Sequence, residues 1–239
     1  MCGGISMPSG ESSPHGPPLS ELDWKHQYRI VSSEFPPINF FETLVEPELM
    51  AELFYIEGLT NDRLRDEAGD IALVDREDRI SGPGSSSVMA AFTHVGTESR
   101  FSDGSYGVYY AARSLKTAIE ETKFHRARFL AYTQEDAGEI DMRVYVGKVA
   151  KPLHDIRGTE YGHLHDPDDW QPSQAFGLEM RAARSWGMVY RSVRDPGGEC
   201  IAALRPPAVT IPRQGPHLAY VWDGTRIVRV YKKTLMDVG

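Results

Sequence analysis

The chain predicts an α+β fold with a mixed, largely antiparallel sheet arrangement and flanking helices, and three features carry that prediction. Asp223-Gly224 sits between two alternating segments of the run from Ala219 to Tyr231, the pattern of a tight hairpin. Met188–Val193 and Cys200–Leu204 are strand-like runs that can pair across the turn Asp195-Pro-Gly-Gly198. Elsewhere, helix-like and strand-like segments alternate in a mixed order.

Composition sets the outer limits. The 239 residues carry 26 Lys+Arg against 34 Asp+Glu, a formal charge of -8, with 41% hydrophobic and 25% charged residues. That is an ordinary globular balance, ample for a real core. The acidic excess disfavours broad binding to nucleic acid or anionic membrane, which needs a cationic footprint. It leaves room for a local basic pocket holding a small anion. Two cysteines, Cys2 and Cys200, exclude a disulfide framework and a four-thiolate zinc site. No apolar run is long enough to span a bilayer as a helix, and no secretory signal pattern opens the chain, so the expected setting is cytoplasmic.

The elements follow in order. Residues 1–22, which include MCGGISMPSGESSPHGPPLS, read as a disordered leader rich in Gly, Ser and Pro; residues 23–239 read as one domain. Tyr28–Ser32 is a first strand, stopped by Pro36-Pro37. Pro47 can open a helix running to Gly58. Ile71–Val74 reads as a strand, residues 80–87 as a loop, and Val88–Phe92 as strand or helix. Gly107–Ala112 is a buried strand, and Ser114 is the N-cap of a helix from Leu115 to about Arg126. Phe129–Thr133 and Met142–Val149 read as strands, and residues 157–171 as a polar loop. A helix runs from Ser173 to Trp186, ended by Gly187, before the two hairpins already named.

The informative run is Arg100 to His125: loop, strand, tight turn, helix. Arg100 lies in a glycine-punctuated loop where backbone can approach a ligand closely. Tyr109 and Tyr110 point to opposite strand faces, so one is buried while the other is free to line a pocket. Ser114, Ala118 and Glu121 share a helix face; Glu120 is turned away from Glu121 by about 100°. Small Ala118 lets the helix pack close to the sheet. Arginine, tyrosine and glutamate around one pocket suit an anionic nucleotide whose glycosidic bond is to be broken. The guanidinium matches phosphate, and the carboxylate can hold a ribose hydroxyl and offset charge developing on the sugar. Taken singly, each residue has a plainer reading: a surface ion pair, an exposed helix glutamate, a core tyrosine.

This run resembles the RES-domain toxins, named for their Arg, Glu and Ser and paired in bacteria with Xre-type antitoxins. The family pattern sets a tyrosine about ten residues after the arginine and a glutamate about eleven after that; here these are Arg100, Tyr110 and Glu121. The family serine lies far downstream, and Gly187-Met-Val-Tyr-Arg-Ser-Val-Arg194 supplies Ser192, with Ser173 as the other candidate. An early Tyr28-Arg29-Ile30 strand also fits, so the resemblance covers residues 28–205. Many members carry Gly-Arg-Trp-Asn where this chain has Ser99-Arg100-Phe101-Ser102. The long stretch between Arg29 and Arg100 marks a longer branch, with extra structure over residues 36–90.

The resemblance implies an ADP-ribosyltransferase-like fold of the diphtheria-toxin type, with NAD as substrate and no metal. It implies cleavage of the nicotinamide–ribose bond, with water, inorganic phosphate or a protein side chain as acceptor. It assigns phosphate binding to Arg100 and a wall of the nicotinamide site to Tyr110. Glu121 would stabilise the cationic sugar, Ser192 would hold the nucleotide, and Arg29 would be a second anion contact. It also implies an Xre-type antitoxin presenting a carboxylate to Arg100, in an oligomeric complex, with DNA binding left to the antitoxin. The competing readings are a protein ADP-ribosyltransferase acting on a host enzyme and a non-catalytic partner-binding protein.

Other constellations are weaker. Gly82-Pro-Gly84-Ser-Ser-Ser lacks the lysine of a P-loop and reads as a plain loop. His163, His165, Asp166, Asp168 and Asp169 match no zinc spacing and read as solvated surface. His125 reads as a structural hydrogen-bonding residue. Arg181, Arg184, Arg191 and Arg194 form a basic cluster expected to pair with the acidic excess.

Overall fold

The computed structural model describes residues 16–33 and 69–234. They form a single nine-stranded sheet in the order β1-β5-β6-β7-β3-β2-β4-β8-β9. The strands are β1 (Leu19–Ser20), β2 (Gln27–Ser32), β3 (Tyr109–Ala112), β4 (Gly138–Gly147), β5 (Leu153–Asp155), β6 (Gly187–Arg191), β7 (Glu199–Ala203), β8 (Arg213–Trp222) and β9 (Ile227–Lys233). Every pairing is antiparallel except β5 with β6. The expected α+β architecture with a mostly antiparallel sheet is therefore present, as one continuous sheet.

The sheet has a core on each face, because side chains alternate along every strand. On β3, Tyr110 and Ala112 pack with Ile30, Met142, Val144, Tyr190 and Cys200. Tyr109 and Ala111 pack on the other side with Trp24, Val88, Met89 and Phe92. Among the described residues, three α-helices flank it: α1 (Ser86–Thr93), α2 (Leu115–Thr133) and α3 (Gln171–Ala182).

Both hairpins form as expected. Gly187 pairs with Ala203 and Arg191 with Glu199, leaving Ser192–Gly198 as the connecting turn. Trp222 pairs with Ile227 around Asp223, whose carboxylate accepts from the amides of Thr225 and Arg226. Ser114 caps α2, its Oγ accepting from Thr117 N at 3.0 Å.

Several expectations are corrected. Leu19–Ser20, expected within the disordered leader, pairs with Leu153–His154 as a strand of the sheet. Ile71–Leu73 is a 3-10 turn, not a strand, because Asp70 caps it by accepting from Ala72 N at 2.9 Å. Val88–Phe92 resolves to helix. Phe129–Thr133 continues α2 instead of starting a strand, and the helix ends only where Gln134 turns left-handed. Aromatic strand propensity is weak beside a helix already nucleated and anchored by buried Leu130. The last helix stops at Ala182, with Arg184 at φ 56° inside the bend that leads to β6. The helix expected from Pro47 to Gly58 lies outside the described residues, as does most of the extra stretch over 36–90. No helix among the described residues is long and apolar enough to cross a membrane.

Candidate functional site

The site begins with a divergence of strands. β2 and β3 share a single residue pair, Tyr28 with Ala112. Beyond it they separate, and α2 packs across the opening. The result is a cavity of about 230 Å³ walled by Arg29 and Ile30 on one strand and Tyr110 on the other, with Glu121 and His125 from α2. Phe124, Trp170 and Arg194 border the same cavity.

Arg29 reaches the split with its Nη1 donating to the Tyr110 carbonyl at 3.2 Å and its guanidinium 4.6 Å from the Tyr109 ring centre. Its Nε has no hydrogen-bond partner among the described residues. Burial lowers its pKa, and no carboxylate among the described residues pairs with it. A buried cation in that state is costly and is relieved by an anion.

Arg100 sits in the turn before β3, 7% exposed. Its Nη1 donates to the carbonyls of Leu164 at 3.3 Å and Asp166 at 2.8 Å. Carbonyls orient the fork without neutralising it. The turn is held by Tyr110, whose hydroxyl accepts from Phe101 N at 3.0 Å and bonds Ser99 Oγ at 2.9 Å. Burial pushes the Tyr110 hydroxyl up to about 12, so it stays protonated. Tyr110 therefore lends its ring to the cavity and its hydroxyl to the Arg100 turn. From the other side, Gly177 of α3 lets the helix close on this turn. A Cβ there would stand 2.2 Å from the Phe101 carbonyl.

Glu121 accepts a hydrogen bond from Ser192 Oγ at 2.5 Å. Ser192 thus supports the Glu121 carboxylate. Ser173 is occupied differently: it is buried at the start of α3 and donates to the Trp170 carbonyl at 3.0 Å. The structure brings Arg29, Arg100, Tyr110 and Glu121 around one cavity, with Ser192 directly behind Glu121.

Two lining residues had plainer expectations. Arg194 stacks its guanidinium 3.4 Å from the Phe124 ring centre and donates from Nη2 to the Pro167 carbonyl at 2.8 Å. Among the described residues no carboxylate forms an ion pair with it, although the nearby charge of Glu121 acts on it. His125 stands 6.0 Å from the Trp170 ring centre. Burial, with the charges of Arg194, Arg100 and Arg128, depresses its pKa to about 4. The spacing of His125 one turn after Glu121 was the available sequence signal; Arg194 had none, hidden among four arginines.

The polar stretch at 157–171 keeps His163, Asp166, Asp168 and Asp169 exposed, as expected, while its backbone also serves the site. Its 3-10 segment Thr159–His165 and Asp166 supply the carbonyls that hold Arg100. Among the described residues, no group of three His, Cys, Asp or Glu side chains is placed to hold a metal ion. The Gly82–Ser87 stretch leads into α1 and does not line the cavity.

The model of the RES domain family matches residues 76–223. The chain is 31% identical over 205 residues to the uncharacterized protein y4oC of Sinorhizobium fredii, spanning 85% of this chain and 86% of that one. Among solved structures, the M. tuberculosis MbcT-MbcA toxin-antitoxin complex aligns at 16% identity with a TM-score of 0.38, over 53% of this chain and 72% of that one. The chain belongs to the RES domain family.

Proposed function

We propose that this RES-domain chain is the toxin of a bacterial toxin–antitoxin pair and cleaves the nicotinamide–ribose bond of NAD, drawing down the cytoplasmic pool. The observation that carries the reading is the charge pattern of the split between β2 and β3. Three guanidiniums with no carboxylate partner among the described residues, Arg29, Arg100 and Arg194, border a cavity that is also lined by Glu98 and by Glu121, whose carboxylate is fixed by a hydrogen bond. Such a site favours a dianion and a neighbouring centre of positive charge, which describes a pyrophosphate and an oxocarbenium-like ribose.

In this reading Arg100, oriented by the Leu164 and Asp166 carbonyls, takes a phosphate oxygen. Arg29 offsets the second phosphate charge from the floor of the split. Glu121 hydrogen-bonds a ribose hydroxyl and stabilises the cationic sugar as nicotinamide leaves. The Tyr110 ring walls the nicotinamide. The cavity is below the roughly 300–1,000 Å³ of sites that enclose whole ligands. It holds one end of the dinucleotide, and the rest lies over Phe124, Trp170 and Arg194 at the mouth. The ADP-ribosyltransferase-like fold belongs to the same proposal, as does an Xre-type antitoxin that offers a carboxylate to Arg100.

The test is direct. Purified protein is incubated with NAD, with and without phosphate, and nicotinamide and the ADP-ribose products are separated by chromatography beside Glu121→Ala. Nicotinamide release that disappears in Glu121→Ala supports the reading, and ADP-ribose or its phosphate identifies the acceptor. Intact NAD defeats NAD depletion, and labelled proteins in a lysate given tagged NAD would mark a protein-directed transferase instead.

A further inference from the structure

The Ser192–Gly198 turn is fastened to α2 by a carboxylate that the roles above do not use. Asp195 is 5% exposed. Its Oδ2 accepts from Thr117 Oγ1 at 2.8 Å, and its Oδ1 pairs with Lys116. Thr117 Oγ1 in turn bonds the cap residue Ser114 at 2.8 Å. Both oxygens of Asp195 are therefore committed to the first turn of α2. The approach is close enough to require glycine on the turn: a Cβ at Gly198 would stand 2.7 Å from Thr117 Cγ2.

The same residue controls the Ser192 hydroxyl. Asp195 N donates to Ser192 Oγ at 2.9 Å, and Arg194 N donates to it at 3.2 Å. A hydroxyl has two acceptor sites and one proton. With both acceptor sites filled by amides, the proton goes to Glu121 Oε1 at 2.5 Å. Thr117 and Glu121 are four residues apart and stand on one face of α2. The turn thus clasps consecutive helical turns, with Asp195 on Thr117 and Ser192 on Glu121.

We infer that Asp195 is a positioning residue: by clasping α2 it fixes the register of the turn, aims the Ser192 proton at Glu121, and holds that carboxylate in one orientation. The functional half of this inference rests on the proposed role of Glu121 in NAD cleavage.

The experiment combines two readouts on the full chain, wild type beside Asp195→Asn, Ser192→Ala and the double variant. Hydrogen exchange in the 192–198 peptide reads the clasp itself and does not depend on catalysis. Asp195→Asn is expected to speed exchange there about tenfold, with α3 and β8 unchanged. Unchanged exchange at 192–198 overturns the clasp. Nicotinamide release reads the consequence. Asp195→Asn is expected to lower kcat about tenfold with KM within about twofold, and to add little in the Ser192→Ala background. Additive losses overturn action through Ser192. Lys116→Met, on an exposed side chain, keeps the test open if Asp195→Asn does not fold; it should shift both readouts the same way by about threefold. Wild-type protein that leaves NAD intact defeats the reading of Glu121, and the exchange arm then decides the clasp alone.

Discussion

Two cavities in this protein are lined by arginine, and they differ in what the arginines face. The larger, about 500 Å³, is bordered by Arg181, Arg184 and Arg205 together with Asp75 and Asp78. There Arg205 grips Asp78 through two bonds of 2.6 and 2.7 Å, Arg184 pairs with Asp75 and Glu77, and Arg181 lies 4.8 Å from the Tyr106 ring centre. The smaller, in the split between β2 and β3, has Arg29, Arg100 and Arg194, whose partners among the described residues are carbonyls and aromatic rings. Size does not separate the two: in the larger, Arg184 and Arg205 meet carboxylates and only Arg181 rests on a ring, whereas in the smaller all three arginines meet carbonyls and rings. The paired cluster joins the 71–78 turns to the end of α3 and the start of the segment after β7. The second cluster, in the proposed reading, is the one that receives the anionic end of the ligand.

That contrast can be broken in graded ways. Glu121→Gln should cost the most, about 10²–10³-fold in nicotinamide release with folding intact, because the one fixed carboxylate facing the cationic sugar is lost. Full activity in this variant would remove the carboxylate from the chemistry. On the paired side, Arg205→Met should act on stability: it strands Asp78, whose side chain is 6% exposed, at about 3 kcal/mol, or roughly 6–12 °C in Tm. Its KM for NAD should be unchanged, and a calorimetric scan beside steady-state kinetics checks both parts.

Arg100→Lys keeps the charge but loses the planar fork that two carbonyls orient, and should lower kcat/KM roughly 10–100-fold. An enzyme of full strength would sink that role. Arg29→Met should behave as the mirror image of Arg205→Met. It removes a buried cation with no carboxylate partner, so Tm should hold or rise, while ADP-ribose binding by titration calorimetry weakens about tenfold. A fall in Tm like that of Arg205→Met would erase the distinction between the two cavities.

The smallest effect is a proton. His125 is held down to about 4 by burial and by three guanidiniums, below its ordinary 6.5. The unfolded chain therefore binds a proton that the folded one refuses between those values. Its contribution to stability is full above about pH 6.5 and is lost as pH falls through about 4. A dianion in the cavity should offset the guanidiniums and raise the His125 pKa. NMR titration with and without ADP-ribose checks the sign; a pKa that does not move would place the anion elsewhere.

Much of the fold was legible because it is written locally. The Asp223-Gly224 turn, the Asp195–Gly198 turn and the Ser114 cap each fix their own geometry through nearby hydrogen bonds, and each appears where the residues put it. The failures at Ile71–Val74 and Phe129–Thr133 are also local in origin. Short apolar runs do not distinguish strand from helix, and the decision fell to a cap at Asp70 and to the momentum of α2. The spacing of Arg100, Tyr110 and Glu121 was equally readable, because one turn, one strand and one capped helix, consecutive in the chain, carry them.

The sequence by itself determined the hairpins, the α2 face bearing Glu121, and the residue types for an anionic nucleotide. Only the tertiary structure decided which arginines stay uncompensated. Arg184 and Arg194 lie ten residues apart in one basic stretch, yet one meets Asp75 and Glu77 and the other meets Phe124 and a carbonyl. It also decided that Ser192 serves Glu121, and that the 157–171 stretch holds Arg100. The physical reason is common to all three. A hydrogen bond or an ion pair depends on what lies within about 3–4 Å, and a chain that returns from 60 or 70 residues away leaves no mark of that meeting in its local pattern.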